Sequence, residues 1–209
     1  MGVAERRERE RKARRETLLQ AARSVLLERG VRGTTTKEIA ERCELSEATL
    51  FFYFKSKDEI LLSLIFESIE FWAKGLDGLA EQDLSPEQML DEIWRFHELV
   101  YREHPEYYLI STYLAQPHVL DGVSPEVKEE IAKRSGENFR RLSKLFSSSS
   151  GGAATARVMA DAIWAAFLGL TIVSAGRRNL GHGDTNLGRA NRAKVFEALK
   201  AGLLTGMGR

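Results

Sequence analysis

Apolar positions recur at three- and four-residue spacing along most of the chain, and no segment keeps a two-residue alternation. The pattern predicts an all-α protein of about nine helices. Helix 1 is expected from Glu5 to Glu28, with Leu18, Ala22, Val25 and Leu26 as its stripe and Gly30 and Gly33 ending it. Thr35 and Glu38 stand at capping-box spacing for a short helix, Thr36 to Cys43, whose Ile39 and Ala40 face inward. Ser46 is placed to cap a second short helix, Glu47 to Tyr53. Ser56 and Glu59 form another capping box, opening a helix to about Leu76. Its apolar residues, from Ile60, Leu61 and Leu62 through Phe71 and Trp72, cover more than one face, so it is packed between other elements and predicts a connector.

The later helices are announced by caps and prolines. Ser85-Pro86-Glu87-Gln88 is an N-cap, a first-turn proline and a capping-box Gln. Pro105 opens helix 6, to Ala115. Pro117 and Gly122 mark a loop, and Ser124-Pro125-Glu126 starts helix 7, to Phe146. The run SSSSGG at 147–152 reads as a flexible connector. Helix 8, Ala153 to Ala175, carries small residues on one face at Ala162, Ala166 and Gly169, and bulkier Ile163, Trp164, Phe167 and Leu170 elsewhere. Gly176 to Gly188 reads as a loop. Helix 9, Ala190 to Leu204, has a stripe of Phe196, Leu199 and Leu203.

Composition narrows the class. With 43% hydrophobic and 29% charged residues over 209 positions, the chain can bury a sizeable core as one or two domains. No run of about 18 uninterrupted apolar residues is present, so a membrane span is not expected, and the charged start does not fit a signal peptide. A single cysteine, Cys43, excludes an intrachain disulfide framework; a cytoplasmic location fits. Net charge is +1, unevenly spread: residues 1–15 hold seven Lys and Arg against three Glu. That arm either attracts phosphate or is a solvated, frayed helix start of mixed charge.

The segment Thr34–Lys57, with two short helices joined by a tight turn and followed by an aromatic cluster, has the layout of a helix-turn-helix. Its order and spacing, through Gly30, Thr34-Thr35, Ile39-Ala40, Leu45-Ser46, Thr49-Leu50, Tyr53-Phe54 and Lys57, closely resemble the TetR family of bacterial transcriptional regulators. Beyond about residue 75 the resemblance is architectural: length, helix number and two apolar C-terminal helices. It implies a DNA-binding domain at 1–56 and an effector-binding and dimerisation domain at 57–209. Two departures stand out. The turn position usually held by Gly is Glu44, which in a left-handed conformation costs on the order of 1 kcal/mol. The family's frequent phosphate-binding Tyr is Phe51, which has no hydroxyl.

A recognition helix reads bases with its first residues while flanking groups hold phosphates. Ser46 caps that helix. Glu47, Ala48 and Thr49 occupy its first turn: Thr49 suits a base edge or phosphate, and Ala48 a thymine methyl. Glu47 suits a cytosine amino group or simply the helix dipole. Phe52 takes the variable aromatic position, against the DNA backbone or a thymine methyl. Thr35, with Thr36 beside it at the start of the preceding helix, is placed to donate to phosphate. Tyr53 either does likewise or is packed, and Lys57 adds charge at a helix N-terminus. Leu45, Leu50 and Phe54 are expected to be core.

The body is rich in aromatics. Trp72, Trp94, His97, Tyr101, Tyr108, Tyr113, Trp164 and Phe167 are the expected walls of a site for an apolar or aromatic small-molecule effector. His97 and His104, with Glu98 and His118 nearby, lack the spacing of a zinc enzyme and read as ordinary histidines. No nucleophile–base set or glycine-rich phosphate loop is present, so no enzyme, metal or cofactor is expected. The resemblance implies a homodimer through Ala162, Ala166, Gly169, Phe196, Leu199 and Leu203; the same residues alternatively close the monomer core. The expected function is a ligand-released repressor on a near-palindromic double-stranded DNA operator. Its rivals are a helical small-molecule carrier and an architectural DNA-binding protein without an effector.

Overall fold

A computed structural model describes residues 2–116, 119–121, 123–147, 152–181 and 186–207. Among these there are nine helices and no strand. They are α1 (Val3–Gly33), α2 (Thr36–Arg42), α3 (Glu47–Tyr53), α4 (Lys57–Ala80), α5 (Pro86–Glu103), α6 (Pro105–Leu114), α7 (Pro125–Lys144), α8 (Ala153–Asn179) and α9 (Asn186–Met207). The loop expected around Pro117 and Gly122, His118, and most of the SSSSGG connector lie outside the described residues. The chain divides into two compact units, one of residues 1–68 and 105–128, the other of residues 69–104 and 129–209.

The first unit is built around α1. Leu18, Ala22, Val25 and Leu26 are fully buried, as their spacing predicts, together with Ile39, Leu50, Phe54, Ile60 and Leu64 from α2, α3 and α4. α1 runs past its expected end at Glu28. It breaks at Gly30, one of the two glycines expected to end it, whose φ of +65° is open to glycine at no steric cost. The Thr34 amide and hydroxyl both donate to the Gly30 carbonyl (3.1 and 2.8 Å) and close the end of the helix. Arg42 grips Glu28 with both terminal nitrogens (2.5 and 2.6 Å), and Arg29 pairs with Glu38 (2.6 Å), so α2 is pinned to α1. Arg23 of α1 pairs with Glu16 and with Glu67 of α4.

The second unit has an aromatic core. Trp72, Trp94, His97 and Phe167 are buried among Leu76, Ile93, Ala160 and Ile163. The Ser85 capping box forms in full. The boxes expected at Thr35 and Ser56 form only by half. Both hydroxyls accept the predicted amide (3.1 Å each), but the Glu38 carboxylate turns to Arg29 and that of Glu59 accepts the Lys55 amide. α4 and α8 overrun their expected ends at Leu76 and Ala175, and α9 begins before Ala190, so Gly176–Asn179 is helix rather than loop. No cap or proline stops these helices at the expected points.

Candidate nucleic-acid interface and body cluster

The turn between α2 and α3 is closed by hydrogen bonds. The Leu45 amide donates to Ala40 O (2.9 Å) and the Glu44 amide to Glu41 O (3.0 Å), the paired bonds of a Schellman motif. Glu44 holds the left-handed conformation that its position requires, with φ +56°. Ser46 then accepts the Thr49 amide (3.1 Å) and starts α3. Leu50 and Phe54 anchor the inner face of α3, fully buried as expected, while Leu45 is half-buried.

The outer face carries the predicted contact residues. Ser46, Glu47, Ala48 and Thr49 are exposed, Phe52 is 76% exposed and Phe51 47%. Several of their polar groups are engaged within the head. The Thr36 hydroxyl donates to Glu47 Oε1 (2.6 Å), and the Ser46 and Thr49 hydroxyls lie 2.9 Å apart. Thr35 is exposed, its oxygen capping α2. Tyr53 is half-buried with its ring at the edge of Phe52, centroids 5.4 Å apart.

Two cations turn inward. Lys57 donates to the Val31 carbonyl (2.7 Å), where burial pushes its ammonium below the usual lysine range while Asp58 opposes the shift. Arg15, counted in the basic arm by sequence, donates to Tyr53 O (2.8 Å) and Ser63 Oγ (2.9 Å), and its guanidinium lies 3.9 Å from the centre of the Phe54 ring. It braces α3 and α4 from α1, a role that residue type does not announce. The rest of the arm, Arg6 to Arg14, is helical and exposed. The Cys43 thiol is half-buried and pushed up by burial, with Arg14 opposing the shift.

In the second unit the expected pocket residues Trp72, Trp94, His97, Tyr101, Trp164 and Phe167 do come together. His97 stacks on Phe167 (4.7 Å between centroids) and lies 4.8 Å from Trp72. Trp72 meets Trp164 edge-on at 5.4 Å, and Trp94 meets Phe167 at 4.9 Å. Burial pulls the His97 imidazole down to about 3, so it is neutral at physiological pH. Phe71, Phe96 and Phe139 join the cluster, a role sequence reasoning did not assign them. A Cβ on Gly75 would lie 2.0 Å from the Phe96 ring, so only glycine admits that ring against α4. Tyr108 and Tyr113 belong to the first unit; Tyr108 is buried and Tyr113 half-buried, its phenol pushed up by burial.

Arg192 of α9 is buried, pairs with Glu98 (3.0 Å) and lies 5.0 Å from the Tyr101 ring centre. His104 ends α5 and contacts Phe71, well along the helix from buried His97. Among the described residues no group of three or more His, Cys, Asp and Glu is placed to hold a metal ion. A surface groove of about 450 Å³ runs between α4 and α7, lined by Leu76, Asp77, Ala80, Glu137, Arg140, Arg141 and Lys144, and includes none of the expected pocket residues.

The expected dimer residues divide. Phe196 is inside the unit, stacked on Trp94 at 4.6 Å, so it serves the protomer's own core. Ala162, Ala166, Leu199 and Leu203 are half-buried and Gly169 is exposed. Val158, Ile172 and Val173 of α8 and Val195 of α9 are exposed and were not singled out from sequence. Among the described residues one helix is, by length and composition alone, long and apolar enough to cross a membrane. It is Ala153–Arg177, with mean hydropathy 1.8 and 28% of its apolar window buried.

Helices α1 to α3 define a helix-turn-helix head within the first unit, and the second unit has an aromatic core. The family model for bacterial regulatory proteins of the tetR family matches residues 18–64, from the second half of α1 through α2 and α3 into α4. Over 126 residues it is 25% identical to the HTH-type transcriptional regulator RutR of Escherichia coli K12. The match spans 59% of each chain. Over 48 residues it is 48% identical to the HTH-type regulator YvkB of Bacillus subtilis 168, covering 23% of this chain and 25% of that one. In fold it matches the fatty acid degradation regulator FadR of Bacillus halodurans with a TM-score of 0.65 at 15% identity, covering 91% of this chain and 94% of that one.

Proposed function

We propose that the protein is a DNA-binding transcriptional regulator, a homodimeric repressor released from a near-palindromic operator by a small molecule. The observation that carries the reading is α3. It stands on a closed turn with its inner face anchored by Leu50 and Phe54 and its first turn open, within the segment that matches the family model. Residues 1–56 act as the DNA-binding domain and 57–209 as the effector-binding and dimerisation domain. Ala48, Thr49 and Phe52 meet the major groove, Thr35, Thr36, Ser46 and Tyr53 hold phosphate or orient the helix, and Glu47 and Lys57, bonded to Thr36 and to the Val31 carbonyl, orient the head.

The exposed apolar face of α8, with that of α9, is covered by a second copy of the chain. That face is too apolar to remain in water, and Arg157 and Asp161 on α8 are costly inside a bilayer. A two-fold pair places its heads about 34–36 Å apart, one helical turn of DNA. The effector is apolar or aromatic and enters among Trp72, Trp94, His97, Tyr101, Trp164 and Phe167, whose neutral imidazole offers a hydrogen-bonding group without a charge. Its release of DNA requires preferential binding to the DNA-incompetent conformation; a tenfold preference corresponds to about 1.4 kcal/mol. The protein acts in the cytoplasm, where its operator is.

Fluorescence anisotropy with a labelled duplex from upstream of the protein's own gene tests the reading, using the wild type and an Ala48→Asp variant. Ala48 is exposed, so the variant folds. Saturable binding with two protomers per site, weakened at least roughly tenfold by the introduced carboxylate, is expected. Equal affinity of the two proteins would exclude α3 as the reading helix.

A further inference from the structure

Side chains that discriminate bases by hydrogen bonds are chiefly Arg or Lys for guanine and Asn or Gln for adenine. Between Cys43 and Phe54 this chain has none of them. The polar groups at the start of α3 are engaged within the head: Glu47 accepts from Thr36, and the Ser46 and Thr49 hydroxyls lie 2.9 Å apart. What remains is apolar, the Ala48 methyl and the rings of Phe51 and Phe52. Phe52, 76% exposed in a well-packed head, has no structural reason to face water. The partner that covers it is fixed by its surroundings. It projects from the outer face of a helix-turn-helix whose chain carries 14 Lys and Arg against 11 Asp and Glu over residues 1–59.

The geometry points to a base-reading surface that recognises the C5-methyl groups of thymine through Phe52 and Ala48. Operator half-sites are then fixed by thymine position in the major groove rather than by guanine. This inference rests on the DNA-binding function proposed above and names the chemistry by which that surface selects its site. A major-groove methyl is the one apolar group a base pair offers there, and it belongs to thymine alone among the unmodified bases. Phosphate contacts from the rest of the head supply affinity without selecting sequence.

The test selects duplexes from a randomised pool with the full-length protein, then replaces each thymine of the enriched half-site by deoxyuracil, which removes only the methyl. The expected half-site contains thymines whose replacement weakens binding roughly fourfold each, the scale of one buried methyl group. The variant Phe52→Ala, which truncates an exposed ring and leaves the core intact, is expected to bind more weakly and to lose that sensitivity. Phe51→Ala serves as the neighbouring control and retains it. Enriched half-sites indifferent to deoxyuracil overturn the inference while leaving the DNA-binding function standing. A pool with no enrichment overturns both.

Discussion

The head and the body differ in how their side chains are committed. In the head the turn and the start of α3 have local causes: Ser46 starts α3 and Glu44 turns the chain. In the body apolar residues pack with aromatic partners far away in sequence, as Trp72 does with His97 and Trp164. Short-range hydrogen bonds therefore set the turn and helix starts of the head, with long-range polar bonds such as Arg15 to Tyr53 and Arg42 to Glu28 pinning them, while long-range ring packing organises the body.

Breaking each region should reveal the contrast. The largest loss is expected from Phe54→Ala, which removes a buried ring and the surface under Arg15, at about 3–5 kcal/mol. Chemical denaturation measures it, and hydrogen exchange is expected to place the weakened amides in residues 1–68. Its counterpart in the body is Gly75→Ala, where the added methyl overlaps Phe96. Overpacking of this kind costs about 1–3 kcal/mol, and the change in Trp fluorescence on unfolding is expected to report it.

Protonation gives a second contrast. His97 is held neutral by burial, with its folded value near 3 against an unfolded value of about 6.5. Between those values the unfolded chain binds the proton and the folded chain does not. Stability from this residue is therefore present above about pH 6.5 and is lost as pH falls toward 3, at no more than about 1.4 kcal/mol per unit. The difference in unfolding free energy between wild type and His97→Gln, followed from pH 7.5 to 4, is expected to shrink with acidity. A constant difference would mean that His97 is not desolvated in solution.

Smaller effects separate brace from turn. Arg15→Ala removes bonds to the end of α3 and to α4 and is expected to cost about 1–2 kcal/mol while loosening α3 in hydrogen exchange. Glu44→Gly relieves the left-handed Glu and is expected to raise the head's stability by up to about 1 kcal/mol, read as a higher denaturation midpoint.

These residues also show which parts of the structure are legible in the sequence. The caps at Ser46 and Ser85 follow from spacing, because each depends on neighbours within a few residues, whereas the left-handed position of Glu44 comes from the family resemblance. The ends of α4 and α8 do not, since nothing local stops them at the expected positions. Arg15 and Lys57 were read as outward charge; a sequence shows that a residue is charged but not which carbonyl it finds. Six of the eight expected aromatic-cluster residues were legible together, while Tyr108 and Tyr113 belong to the first unit. The placing of Phe196 against Trp94, and the need for glycine at residue 75 beneath Phe96, arise from pairings across the fold.

The central claim is that α3 is a sequence reader. It is tested most directly by footprinting the purified full-length protein on the DNA upstream of its own gene at about 50 and about 200 mM salt. The account predicts a protected near-palindrome, two half-sites one helical turn apart, that persists at the higher salt. Weak, uniform protection that vanishes there would show that only phosphate attraction operates, and would contradict it.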